Sequence, residues 1–117
     1  MVEEILDSFS QNVLAKTDTL QGGIIHGDFN EQNIIVDQWG DGEWRVSGVL
    51  DFGDACLSNY LFELAISMCY IMLDCKRNGL DPIIGSGHIL AGYKIVQPTA
   101  NFDTHLLKVR IILKRKI

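Results

Sequence analysis

The chain has 117 residues, of which 47% are hydrophobic and 21% charged. These are values for one globular domain, and they exclude a disordered, collagenous or low-complexity chain. Fifteen acidic against ten basic residues give a net charge of −5, and five of the bases (Lys108, Arg110, Lys114, Arg115 and Lys116) lie in the last ten residues. Residues 1–107 therefore carry fifteen acids and five bases. That balance argues against a general nucleic-acid-binding surface and suits cationic ligands or bound metal ions.

Val2, Ile5, Leu6, Phe9, Val13 and Leu14 recur at three- and four-residue steps, which predicts a helix over roughly residues 2–16. Gln21-Gly22-Gly23 breaks it, and Ile24 and Ile25 lead into a polar loop, His26 to Asn33. Ile34-Ile35-Val36 reads as a strand, Asp37 to Glu43 as turn chemistry, and Arg45 to Leu50 as the return strand of a hairpin. Asp37-x-Trp39-x-Asp41-Gly42 has calcium-loop spacing. Trp39 occupies a ligand position, however, and no Glu stands at the twelfth, so the segment reads as the hairpin turn. Asn59 to Asp74 is a buried helix, ended by Asn78-Gly79, and Pro82 begins a further element. Ile89, Leu90, Tyr93, Ile95 and Val96 predict another helix, stopped near Pro98, and the apolar, basic tail from Thr104 is compatible with a last one.

The three cysteines, Cys56, Cys69 and Cys75, are odd in number and lack paired spacing. They fit a reducing compartment and ordinary burial rather than a disulfide framework. Glu3, Glu4 and Asp7 are foreign to a signal or transit peptide. The longest apolar run, Leu64 to Leu73, is about half a membrane span. A soluble, cytoplasmic protein without a transmembrane segment is expected.

Two polar clusters bracket the hairpin: His26-Gly27-Asp28-Phe29-Asn30-Glu31-Gln32-Asn33 before it and Asp51-Phe52-Gly53-Asp54 after it. A strand pair brings its open ends together, so Asn33 and Asp51 are expected to be neighbours, with Asp28 on the loop that feeds the first strand. Two carboxylates and an amide oxygen form a hard-oxygen set that suits Mg²⁺ with phosphate and water. The H-x-D-x-x-x-x-N spacing followed by Asp-x-Gly is that of phosphoryl transfer. Asp28 would orient the attacking hydroxyl and take its proton late, while Asn33 and Asp51 hold the metal. A lone Asp28 would be an ordinary turn cap; the joint pattern of His26, Asp28, Asn33, Asp51 and Gly53 is what points to chemistry. His26 reads as a buried donor that braces the loop. Asp54 is open to three readings: a group behind the metal ligands, a substrate contact, or a surface turn residue, the last favoured.

These clusters resemble the aminoglycoside phosphotransferase, or choline-kinase-like, family. Glycine after the histidine points to its small-molecule branch. Gly48 to Cys56, Tyr60-Leu61-Phe62-Glu63-Leu64-Ala65-Ile66 and Gly87 to Tyr93 are most similar to the hydroxylysine kinases within it, over about residues 2–100. The resemblance implies GTP-dependent phosphorylation of 5-hydroxy-L-lysine, with Mg²⁺ as cofactor and GTP (or ATP) as donor. The partner is then a small hydroxylated amine or amino acid, not a nucleic acid. It also implies that Glu63 braces the catalytic loop; the alternative is a helix-start acid favoured by the helix dipole.

No Gly-x-Gly-x-x-Gly or P-loop occurs, Gly85-Ser86-Gly87 lacks the third glycine, and Lys16, Lys76 and Lys94 lie on no apolar strand. The expected fold is therefore α+β: part of a protein-kinase-like C-terminal lobe, mainly helical with a catalytic loop and β-hairpin, the N-terminal lobe absent. Residues 1–103 would form the partial catalytic lobe and residues 104–117 a basic apolar tail that diverges from the family. Such a fragment is expected to be inactive alone and to self-associate through the surface the missing lobe leaves. A catalytically inactive binding or regulatory fragment is the competing expectation. A metal-dependent hydrolase would need an activated water and a second ligand set that the sequence does not offer.

Overall fold

The computed structural model describes residues 2–98. In chain order they form α1 (Val2–Asn12), a 3₁₀ segment (Leu14–Thr19), β1 (Gly22–Ile25), a 3₁₀ turn (Glu31–Asn33), β2 (Ile34–Gln38), β3 (Trp44–Val49), a second 3₁₀ turn (Phe52–Asp54), β4 (Cys56–Asn59), α2 (Tyr60–Arg77) and α3 (Pro82–Val96). The result is an α+β arrangement of helices with two antiparallel strand pairs. The expected helix after Thr104 and the boundary at residue 103 lie outside the described residues.

The first helix ends at Asn12, earlier than its periodicity predicts. Beyond Val13 the chain tightens, and the Thr17 and Thr19 hydroxyls donate to the Leu14 and Lys16 carbonyls. Hydroxyls that bond backbone three residues away compete with the α-helical ladder. Only part of the stripe faces inward: Val13 is fully buried, whereas Leu6 and Leu14 are exposed.

Ile24 and Ile25 do not enter the loop directly, as the sequence predicts; they end β1, which pairs with β4 in the register Ile24↔Leu57 and Ile25↔Cys56. The glycines that read as a breaker belong to this strand. A Cβ at Gly22 would lie 2.8 Å from Ser58 O, and one at Gly23 would overlap the Tyr60 hydroxyl. Close approach of a second backbone is a recurrent reason for glycine in a strand.

The expected hairpin is β2–β3, paired Ile34↔Val49 with an irregularity between Ile35 and Val36. Its turn is closed by Trp39 N–H to Glu43 O and by Gly42 at φ +84°. Arg45 pairs with Asp41 and lies 5.0 Å from the Trp39 ring centroid.

The core is one face of α2, with Leu61, Leu64, Ala65 and Met68 packed with Val13 and flanked by Phe9, Ile89, Leu90 and Tyr93. Gly79 at φ +71° ends that helix. Asp81 caps α3, accepting from Ile83 N–H at 2.8 Å, and Pro82 takes the first turn. The helix thus begins at Pro82 and includes the Gly85-Ser86-Gly87 stretch. A Cβ at Gly85 would fall 2.5 Å from Cys75 Sγ, so glycine there lets α3 approach α2. Cys69 and Cys75 are buried as expected, whereas Cys56 is exposed. No helix of the described residues is long and apolar enough to cross a membrane.

Candidate active site

Strand β1 delivers His26 into a buried position, 9% exposed, with its ring beside Phe29 and Phe52 at centroid distances of 5.8 and 4.8 Å. Nε2 lies 2.7 Å from Leu50 O. A carbonyl can only accept, so Nε2 carries the proton and Nδ1 is the acceptor. Nδ1 takes the Asp28 N–H at 3.3 Å. One neutral imidazole therefore ties the loop to the end of β3, with both ring nitrogens satisfied.

The backbone on the other side is held by Glu63, in the first turn of α2. Its Oε2 accepts from His26 N–H and, at 3.1 Å, from Gly27 N–H. The carboxylate thus does more than sit favourably at a helix start: it aligns two successive peptides of the loop.

Asp28 is half-buried, and its neighbours fold around it. Its carbonyl accepts from Asn30 Nδ2 at 3.1 Å and from Asn33 Nδ2 at 3.0 Å. Asn33 Nδ2 also lies 3.5 Å from Asp28 Oδ2. Asn30 caps the short turn by accepting from Gln32 N–H. The Asn33 amide nitrogen is thus engaged with Asp28, and its Oδ1 is the atom that could serve a cation.

Leu50 N–H donates to Asn33 O at 2.8 Å, closing the open end of the hairpin. Asp51 follows immediately and is exposed. At φ 58°, ψ 69° it has the one positive φ of a non-glycine among the described residues. Such a conformation costs of order 1–3 kcal/mol and persists where the surroundings enforce it. Here Asp51 Oδ1 accepts from Gly53 N–H at 3.4 Å, capping the turn Phe52–Asp54. Asp54 is an exposed turn residue.

The structure thus puts Asp28 and Asn33 in direct contact and Asp51 one peptide beyond the bond that joins Asn33 to Leu50. His26 and Glu63 act on backbone around them, and Gly53 N–H donates to the Asp51 carboxylate. Two carboxylates and an amide oxygen are a donor set that fits Mg²⁺, which takes a few hard protein oxygens and completes its shell with phosphate and water. Among the described residues no group of three His, Cys, Asp or Glu side chains converges. Gly27 has a role its place in the motif did not reveal. It sits at φ +85°, pressed against Asp54. The signal for it was the glycine between His26 and Asp28.

A buried histidine and a helix carboxylate thus organise an Asp–Asn loop beside an Asp-x-Gly turn. The chain matches the model of the Phosphotransferase enzyme family (APH) over residues 1–84 and belongs to that family. It is 40% identical over 111 residues to hydroxylysine kinase of Mus musculus, a match that covers 92% of this chain and 28% of that protein. The hydroxylysine kinase of Bos taurus is 36% identical over 102 residues, 84% of this chain and 26% of the relative. Homoserine kinase of Neisseria meningitidis serogroup B is 35% identical over 82 residues, 68% and 24% of the two. The chain therefore spans only about a quarter of the length of the curated relatives it matches. No solved structure matches it.

Proposed function

We propose that this chain carries the catalytic-loop part of a small-molecule kinase that transfers a nucleotide γ-phosphate to a hydroxyl, with 5-hydroxy-L-lysine as acceptor. The observation that carries the reading is the Asp28–Asn33 contact, joined through Asn33 O and Leu50 N–H to the peptide that bears Asp51. In this reading residues 2–98 belong to the C-terminal lobe of the kinase-like fold. Asp28 orients the acceptor hydroxyl and accepts its proton late in the transfer. Asn33 and Asp51 hold Mg²⁺, which when bound neutralises charge developing on the donor phosphates. His26 fixes Asp28 through its backbone N–H, and Glu63 fixes the two peptides before it. Gly53 lets the turn close on Asp51.

The acceptor assignment is supported by the likeness to two hydroxylysine kinases. The donor we assign is GTP, on the same likeness. Three cysteines, odd in number and without paired spacing, fit a reducing, cytoplasmic setting. The test is a phosphate-transfer screen of the longest native protein carrying this sequence. Acceptors are hydroxylysine, choline, homoserine and aminoglycosides, each with Mg-GTP and Mg-ATP. Transfer to hydroxylysine, faster with GTP, is expected. Preference for another acceptor or donor overturns that assignment alone, and transfer to none overturns the kinase reading.

A further inference from the structure

Gly27 is held from two sides. Its N–H donates to Glu63 Oε2 at 3.1 Å. On the other side, a Cβ built at this residue would fall 2.5 Å from Asp54 O and 3.1 Å from the Asp54 carbonyl carbon and Cβ. The nearest of these atoms are backbone and cannot swing aside, as the end of a flexible side chain would. The two loops therefore meet main chain to main chain. Asp54 closes the turn that Asp51 Oδ1 caps, so the contact joins the peptide leading into Asp28 to the turn that carries Asp51. We infer that Gly27 is a positioning residue whose missing side chain sets the separation of the Asp28 and Asp51 carboxylates. It thereby sets whether a divalent cation at Asp51 and Asn33 lies within reach of a hydroxyl held by Asp28. The inference rests on the phosphotransferase reading and adds to it a residue that contacts neither metal nor substrate.

A left-handed φ by itself favours glycine, and the structure supplies a control for that cause. Gly42, in the hairpin turn, has φ +84° against +85° for Gly27, but a Cβ there would meet nothing within 4 Å. Gly42→Ala therefore carries the conformational penalty without the wedge. Gly27→Ala carries both. Gly27→Asn keeps the wedge with a residue that tolerates positive φ better, which preserves the test if the alanine variant fails to fold.

The experiment uses the longest native protein carrying this sequence. Mn²⁺ binding is read from the loss of free Mn²⁺ paramagnetic resonance signal, and turnover is followed against Mg²⁺ concentration. Gly27→Ala and Gly27→Asn should weaken Mn²⁺ binding and raise half-saturating Mg²⁺ by about tenfold or more, as removal of groups that orient metal ligands does. Gly42→Ala should leave both within about twofold of wild type, since it disturbs no ligand-orienting contact. Asp51→Asn is run beside them. If it abolishes Mn²⁺ binding while both Gly27 variants behave like Gly42→Ala, the inference about Gly27 is overturned and the metal assignment stands. If Asp51→Asn binds Mn²⁺ like wild type, both are overturned.

Discussion

At Glu63 a single carboxylate oxygen serves two N–H groups, those of His26 and Gly27. Removing it leaves two donors in a part-buried position with no replacement acceptor. Hydrogen bonds to charged groups contribute about 1.5–3 kcal/mol, and the donors left behind add their own desolvation cost. Glu63→Ala should therefore lower stability by about 2–4 kcal/mol in denaturant unfolding, with an unchanged m-value. A residue acting only as a helix-start acid would lose no more than about 1 kcal/mol, so this measurement decides between the two roles the sequence left open. Motif spacing makes His26, Asp28, Asn33, Asp51 and Gly53 legible as a group. Beyond the bracing read for His26 and implied by the resemblance for Glu63, it does not reveal which atoms hold them. The reach of Glu63 back over 36 and 37 residues, and the pressure of Gly27 on Asp54, are contacts between segments that no local pattern encodes.

Helix α2 joins the site to the core: Glu63 projects from its first turn to the loop, while Leu61, Leu64 and Ala65 beside it are buried in the core. Leu64 is 2% exposed, whereas Leu57 on the edge of β4 is 82% exposed. Leu64→Ala should cost about 2–5 kcal/mol through lost burial and the cavity left behind. Leu57→Ala should stay within about 0.5 kcal/mol. Thermal and denaturant unfolding of the two variants, side by side, checks the placement of the core. The hairpin and α2 were legible because apolar runs there end in clear stop signals, Asp37 to Glu43 and Asn78-Gly79. The β1–β4 ladder was not. Each strand has only four residues, Ile24 and Leu57 give it no buried alternation, and Gly22 and Gly23 resemble a break until Ser58 and Tyr60 are seen against them. Pro82 marked the start of α3, but its continuity with Ile89–Val96 was hidden by Gly85 and Gly87, which lower helix propensity. At Gly85 the compensation, contact with Cys75, is again tertiary.

On the scale of the whole molecule, the helices leave a broad open cavity of about 740 Å³, walled by Ile24, Ile25, Phe29, Leu64, Ile89 and Tyr93. Burial, and then the adjacent Tyr60, hold the Tyr93 phenol above the usual range, so it adds no charge at neutral pH. Phe52, Leu57, Ile95 and Val96 are also mostly exposed. Apolar surface of this kind favours association. Purified by itself, the 117-residue chain should associate with further copies, visible as concentration-dependent sedimentation, and should give no turnover with Mg-GTP and hydroxylysine. Phosphoryl transfer is positioning and electrostatics from both sides of the nucleotide, and among the described residues there is neither a phosphate-covering glycine loop nor a lysine on a strand. A monodisperse monomer that turns over would contradict both statements. The central claim, that Asp28 lies at the centre of a phosphotransferase site, is tested most directly by phosphate transfer to hydroxylysine in the longest native protein carrying this sequence. Wild type is assayed beside Asp28→Asn under saturating Mg-nucleotide. Wild type is expected to transfer phosphate, at a rate lowered about a hundredfold or more in the variant with nucleotide affinity little changed. Undiminished transfer by Asp28→Asn would contradict that claim.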